Sequence, residues 1–391
     1  MLVYCAKPYL MHSEKTLDRA VPQAVLDGKA QGFPGYMTVD LAALRRNFQR
    51  IASMTTPARV AAVVKADAYG LGAIRVAETL LDAGCRHFFV AQAEEAIALR
   101  SHLPNDAQLF VLNGLLPGAE AACAAAQVIP VINCFAQLYR WRTQAHAERR
   151  RLPAVLQFDT GMSRLGFAPA ERAAVRMGIA QSPELEILYV MSHLASADEP
   201  TKAQNAAQLA EMQMVKKEFA PVPSSFANSA GVLMGKDYHG SLVRPGIALY
   251  GGAPQVNAVN PMEPVVSLAI AVAQTRTVPR GTMVGYSGTH VTGDSTRLAT
   301  LCAGYADGLP RSLSGRGAVY FHGQRLPIVG RVSMDSMTVD ISDLPDDALD
   351  LGSLVEVIGP HQTLEMLAAD AGTISYEILT GLGRRFFRSY C

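Results

Sequence analysis

The sequence predicts an α/β fold, a TIM-type (β/α)8 barrel followed by a mainly β C-terminal domain, and three observations carry that expectation. At 391 residues the chain exceeds what one hydrophobic core usually holds, so two units are expected. Its first half alternates short β-branched runs with longer amphipathic or Ala-rich stretches, the pattern of repeated βα units around a parallel sheet. Beyond Pro264 the texture changes to Val- and Thr-rich runs broken by Gly, Pro and Asp.

Taken in order, residues 1–35 read as a poorly patterned N-terminal extension. Strand character follows in Val60–Lys65, His87–Ala91, Leu109–Asn113, Val128–Asn133, Ala154–Asp159, Ile187–His193, Ser224–Asn228 and Leu242–Tyr250. Helix-like segments such as Ala73–Asp82, Ala93–His102, Pro169–Ala180 and Gln204–Phe219 lie between them, several opened by acidic or polar residues suited to a first turn. Such a series fits a closed barrel, assigned to residues 36–264, better than an open doubly wound sheet. The second domain, 265–391, is read from Val265–Val278, Arg297–Cys302, Gly317–Tyr320, Pro327–Asp340 and Leu354–Ile358, with brief helical patterning at Leu364–Ala371 and Tyr376–Leu382. No fixed-period repeat is visible, which excludes a solenoid.

An apolar fraction of 49%, a charged fraction of 18% and a net charge of +1 favour neither nucleic acid, nor an acidic membrane surface, nor disorder. Small-molecule chemistry is the default. Cys5, Cys85, Cys123, Cys134, Cys302 and Cys391 are scattered without C-x-x-C spacing, so no zinc site or disulfide framework is expected. No apolar run is long enough to span a bilayer and no signal peptide is recognisable, so a cytoplasmic location is expected.

Lys65 closes the first strand run at what would be the C-terminal mouth of the barrel. Partial desolvation there would depress its pKa and free the amine to attack an aldehyde, which makes it a candidate Schiff-base lysine. A strand-end lysine pointing into solvent is the plain alternative, and other strand ends tip the balance. His193 ends the sixth run, Asn228 and Ser229 the seventh, and Arg244, Gly246 and Ile247 lie in the eighth. Barrels commonly bind phosphate after their seventh and eighth strands, using backbone N–H groups and a hydroxyl. Singly, each residue has an ordinary reading as core histidine, turn glycine or ion-pair partner; together they form a lysine and a phosphate cradle on one rim.

The ordered motifs V-V-K-A-D-A-Y-G, T-G-M-S-R-L-G, S-H-L-A-S-A-D-E, R-P-G-I-A-L-Y-G, V-G-Y-S-G-T, G-Y-A-D-G and G-R-V-S-M-D resemble those of alanine racemases, from about residue 36 to the C-terminus. The resemblance implies pyridoxal 5'-phosphate as cofactor, and a fold-type III architecture that agrees with the reading above. It implies that Lys65 carries the cofactor and serves as one acid/base, with Tyr69, Ser229, Gly246, Ile247 and Tyr376 around the phosphate and His193 and Asn228 in the same pocket. Arg244 would face the pyridine nitrogen, where a fixed positive charge disfavours protonation and weakens the ring as an electron sink. Arg164 would contact the phenolic oxygen and the substrate carboxylate. Tyr286 would be the second base, its anion supported by His193 and Arg244, reaching the site from the partner chain of a head-to-tail homodimer. Tyr305 would be a gate residue, and Met334 and Asp335 would close over the substrate carboxylate.

One position departs from the family pattern: Gln157 stands where many members carry a carbamylated lysine that holds the arginine. An uncharged amide supplies no negative partner, so Arg164 is expected to be oriented by a bound anion such as chloride, or held more loosely. The competing readings are a fold-type III decarboxylase, disfavoured by Arg244 and the Met334–Asp335 pair; a non-catalytic homeostasis protein for the cofactor, disfavoured by the β domain; and a broad-spectrum racemase, disfavoured by Leu165 after the arginine. Racemisation of alanine is the expected activity, feeding peptidoglycan or degrading D-alanine.

Overall fold

The computed structural model describes residues 28–391; Cys5 and most of the expected extension lie outside the described residues. A parallel sheet runs in the order Arg59–Val60, Leu242–Arg244, Ser224–Asn228, Leu185–Met191, Leu152–Gln157, Val128–Ile132, Gln108–Val111, His87–Val90, Ala62–Val63. The first and last segments are two parts of one stave interrupted at Ala61, so the barrel closes. Ala61 N donates to Val243 O (2.8 Å) and Val63 N to Pro245 O (3.0 Å) on one side, while Val64 N donates to Phe89 O (2.8 Å) on the other. Helices cover the outside, so the staves are apolar on both faces, and Val128–Ile132 is buried throughout. Buried side chains such as Phe88, Phe89, Phe110 and Val155 each contribute roughly 1.5–3 kcal/mol of transfer free energy.

No crossover helix follows the last stave. Its place is taken by Leu41–Thr55, which contacts the Ala73–Asp82 helix and Ser229–Val232 and buries Leu44, Phe48 and Ile51. Asp40 caps it by accepting from Ala43 N at 2.7 Å.

The second domain is organised by the 13-residue strand Val266–Val278. Its N-terminal half pairs with Gly35–Val39 and Leu354–Ile358; past a register shift between Val272 and Gln274 its C-terminal half pairs with Thr296–Leu301. That irregularity lets one strand serve two directions of sheet.

Several boundaries differ from expectation. Residues 36–39, assigned to the barrel, belong to the β domain sheet, between Val266–Val278 and Phe387–Tyr390; a single strand carries no information about its partner. The expected strand Leu242–Tyr250 stops at Arg244. Pro245 offers no N–H, and Gly246–Tyr250 closes into turns with Leu249 N bonded to Gly246 O at 2.8 Å. Pro327–Asp340 is two strands, Gln324–Pro327 and Met337–Asp340, with a loop between them that carries Met334 and Asp335. The helices Glu120–Ala125 and Phe135–Glu148 were not among the expected segments.

Candidate active site

Lys65 does not end a strand: it opens a left-handed turn. Ala66, Asp67, Ala68 and Tyr69 all have φ between 53° and 57°, a conformation that costs an L-residue roughly 1–2 kcal/mol. Such strain persists only where the surroundings over-determine it. Here Glu95 accepts from Ala66 N (2.5 Å) and Asp67 Oδ1 from Ala73 N (2.7 Å), Arg388 donates to Gly70 O (2.6 Å), and Tyr390 Oη donates to Leu71 O (3.0 Å). The turn places Lys65 half-buried at the barrel mouth and sends the Tyr69 ring back over the eighth stave. Burial, then the charge of Arg164, lowers the Lys65 pKa, against an opposing pull from Glu95.

Tyr69 is buried between Tyr250 (ring centroids 4.8 Å) and Tyr376 (5.8 Å). A Cβ at position 246 would lie 2.9 Å from Tyr69 Cζ and closer still to its hydroxyl, so this close approach requires glycine. Ser229 Oγ accepts from Gly246 N (2.9 Å) and Ala248 N (3.2 Å). The N–H of Ile247, fully buried between them, has no acceptor among the described residues. An orphaned buried donor beside three hydroxyls is what a phosphate would satisfy. Burial and the nearby Asp198 carboxylate push the Tyr376 phenol up to about 12, and burial raises that of Tyr69 further, so both are donors at neutral pH.

Arg244 is buried, donating to Ser225 Oγ (2.5 Å) and to the carbonyls of Ser192 (2.6 Å) and Phe226 (3.4 Å). Desolvation lowers its pKa to about 9, which leaves it a cation at neutral pH. Burial, then the charges of Arg244, Arg164 and Lys65, press His193 down to about 3, so its imidazole is neutral. Asn228 caps the Ser229–Val232 helix by accepting from Gly231 N at 2.9 Å. Arg164 lies on a loop shaped by Asp159, whose Oδ1 accepts from Gly161, Met162 and Ser163 N. It is exposed and makes no hydrogen bond or ion pair among the described residues. Gln157 is buried on the stave behind that loop.

Nine expected residues of the barrel, Lys65 through Ile247, therefore gather on one rim with Tyr376 of the second domain. Tyr286, Tyr305 and Met334 do not join them: they are 70%, 43% and 53% exposed on the β domain. No hydrogen bond or ring contact links these three side chains to the rim of their own chain among the described residues. Asp335 is held by Arg385 at 2.6 Å. Met283 and Val291, also exposed, belong to the same hairpin region as Tyr286.

Sequence reasoning missed the residues that hold the rim together. Gln208, fully buried, donates to His193 O (2.9 Å) and Thr160 Oγ1 (3.2 Å) and accepts from Ala195 N (2.9 Å); Thr160 in turn meets Ser192 Oγ at 2.7 Å. A signal was present: Asn205 and Gln208 continue the buried stripe of Met212 and Val215 on their helix, so two amides occupy apolar positions.

Residues 39–254 match the family model for the alanine racemase N-terminal domain and 265–390 that for the C-terminal domain. The chain is 63% identical over 361 residues to a catabolic alanine racemase of Rhizobium johnstonii, covering 92% of this chain and 96% of that protein. It is 56% identical to a catabolic alanine racemase of Agrobacterium fabrum, over 92% of this chain and 93% of that one. The fold matches the crystal structure of alanine racemase from Bartonella henselae with covalently bound pyridoxal phosphate at a TM-score of 0.88 and 42% identity, covering 92% and 99% of the two chains.

Proposed function

The chain belongs to the alanine racemase family, and from that premise we propose how its residues interconvert L- and D-alanine with pyridoxal 5'-phosphate. The carrying observation is one rim that holds a lysine of lowered pKa beside an anion cradle with an orphaned donor. The cofactor fits: Ser229, Tyr69, Tyr376 and the backbone at Gly246 and Ile247 would hold its phosphate, and Lys65 its aldehyde carbon. When bound, it withdraws electrons from the substrate Cα and acidifies the hydrogen there.

Lys65 moves that proton on one face, its lowered pKa keeping more of the amine unprotonated at working pH. Arg244, pinned by Ser225 and Ser192 O, would offer a fixed cation to the cofactor's ring nitrogen, which would disfavour protonation there and restrain side reactions. Arg164, without an acceptor among the described residues, would offer its guanidinium fork to the substrate carboxylate. On the opposite face the proton is handled by Tyr286 of a second copy. A tyrosine is a weak base at neutral pH, so its anion draws on Arg244 through the neutral His193. The exposure of Tyr286, Tyr305 and Met334 supports a head-to-tail dimer in which each β domain completes the other copy's site. The catabolic names of the 63% and 56% identical relatives support a role in alanine breakdown. No helix among the described residues is long and apolar enough to cross a membrane, which supports action in the cytoplasm.

The test is loss of optical rotation with L-alanine, L-serine, L-lysine and L-arginine in parallel. Racemisation confined mainly to alanine, lost in Lys65→Ala together with the visible band of lysine-bound cofactor, is expected. Tyr286→Phe should abolish racemisation and leave that band intact. Equal turnover of the long basic side chains would move the chain to the broad-spectrum group.

A further inference from the structure

We propose that Arg385 is a positioning residue that locks the Tyr305 and Met334–Asp335 loops into one rigid gate and thereby sets the selectivity for a small substrate side chain. The proposal rests on the reading above, in which those loops serve the active site of a second copy.

The Arg385 guanidinium spends three donors on two carboxylates from two different loops. Nε and Nη2 make a bidentate pair with Asp307 Oδ1 (2.6 Å) and Oδ2 (2.7 Å), and Nη1 donates to Asp335 Oδ1 (2.6 Å). Asp307 is only 1% exposed. A buried carboxylate requires a counter-charge, and Arg385 is the one ion-pair partner seen for it among the described residues. Only a planar fork can bridge both acids at once; a lysine ammonium is a point charge at the end of a flexible stem.

Each acid carries a gate loop with it. Asp307 Oδ2 also accepts from Gly304 N at 3.0 Å, which fixes the start of the Tyr305 turn. Tyr305 N donates to Ser333 O (3.0 Å) and Ala306 N to Met334 O (3.0 Å), so the two loops are laced to each other. They pack so closely that a Cβ at Gly304 would meet the Ser333 and Met334 carbonyls. On the far side Gly383 N donates to Asp307 O (3.0 Å), and a Cβ at Gly308 would fall 2.7 Å from Leu382 N.

The segment that delivers Arg385 is itself anchored. Phe387–Tyr390 pairs with Tyr36–Val39 in the sheet, and Arg388 donates to the carbonyl of Gly70, at the end of the Lys65 turn. The gate that Arg385 holds is thus referenced to the rigid β domain and to the catalytic turn of its own chain. Without that fork, Tyr305, Met334 and Asp335 sit on exposed loops joined by backbone bonds alone. A gate free to shift would hold the alanine carboxylate poorly and admit bulkier side chains.

The test uses the purified holoenzyme with Arg385→Lys and Arg385→Ala. In both, KM for L-alanine should rise about tenfold or more, a change of about 1.4 kcal/mol in binding, with kcat within about twofold. The preference for alanine over serine should narrow, and the visible cofactor band should stay unchanged. Arg385→Lys keeps the charge near Asp307, so the measurement stands even if Arg385→Ala folds poorly. Wild-type KM and wild-type alanine/serine preference in Arg385→Lys would overturn the proposal. A hybrid of one Lys65→Ala chain and one Arg385→Lys chain, isolated through two different tags, separates this proposal from the reading beneath it. Its single lysine-bearing site draws its gate from the chain with intact Arg385, so wild-type KM is expected. A raised KM in the hybrid would instead show that the gate acts on its own chain, sinking the shared-site reading while the homodimer data still assign the gate to Arg385.

Discussion

Substituting Gly246→Ala adds a single methyl group at the most crowded point of the phosphate cradle. The added carbon would fall 2.9 Å from Tyr69 Cζ and nearer to the hydroxyl, whereas ordinary contact needs about 3.5 Å or more. Tyr69 cannot retreat: the tilted rings of Tyr250 and Tyr376 pack against it, and its backbone lies in a left-handed turn pinned by Glu95, Arg388 and Tyr390. Overpacking of a locked site costs about 1–3 kcal/mol. If the cradle opens to relieve the clash, that energy appears as about 5- to 150-fold weaker cofactor affinity. Equilibrium titration of the apoenzyme with pyridoxal phosphate, followed by the visible band, reads this directly. Adding Tyr69→Phe removes the nearest atom, so the double variant should be less impaired than the sum of the two single changes. Cofactor affinity in Gly246→Ala equal to wild type, or strict additivity in the cycle, would refute the account of a cradle built on this contact.

Three further expectations concern other parts of the molecule. Gln208→Ala removes the bonds to His193 O, Thr160 and Ala195 N, leaving buried groups unpaired at about 1–3 kcal/mol each; thermal unfolding and kcat should both fall, and an unchanged kcat would separate Gln208 from the site. Burial, then the charge of Arg59, lowers the pKa of His87 to about 4. The unfolded chain therefore binds a proton below about 6.5 that the folded chain refuses, and stability drops as pH falls from there to about 4, by up to about 3 kcal/mol. His87→Phe should flatten that acid limb in a Tm series, and superimposable limbs would contradict it. Arg164 has no hydrogen-bond or ion-pair partner among the described residues and Gln157 is uncharged, so crystals soaked in bromide should show anomalous density beside Arg164; its absence would eliminate an orienting anion.

Much of the candidate site was legible because most of its elements sit in short motifs at or just past strand ends. Lys65, His193, Ser229 and Arg244 needed only the expectation that barrel strands deliver their C-terminal residues to a common mouth. The local conformations were less legible. K-A-D-A-Y-G reads as a strand end, and its left-handed turn is imposed by Glu95, Arg388 and Tyr390, which lie 29 to 319 residues along the chain from the groups they bind. Gln208 occupies an apolar-stripe position on its helix, and only the packing that buries it beneath His193 gives its amide partners.

The sequence by itself carried the βα alternation, the change of texture after Pro264 and the candidate residues of the rim, because these follow from hydrophobic period, turn chemistry and motif. The tertiary structure decided which strand pairs with which, so that Gly35–Val39 joins the distant β domain and not the barrel it precedes. It also decided the environments of charged groups: the neutral imidazole of His193, the buried cation of Arg244 and the double clasp of Arg385 depend on desolvation and on charges brought close only by folding. Those energies are properties of distance in space, which separation along the chain does not encode.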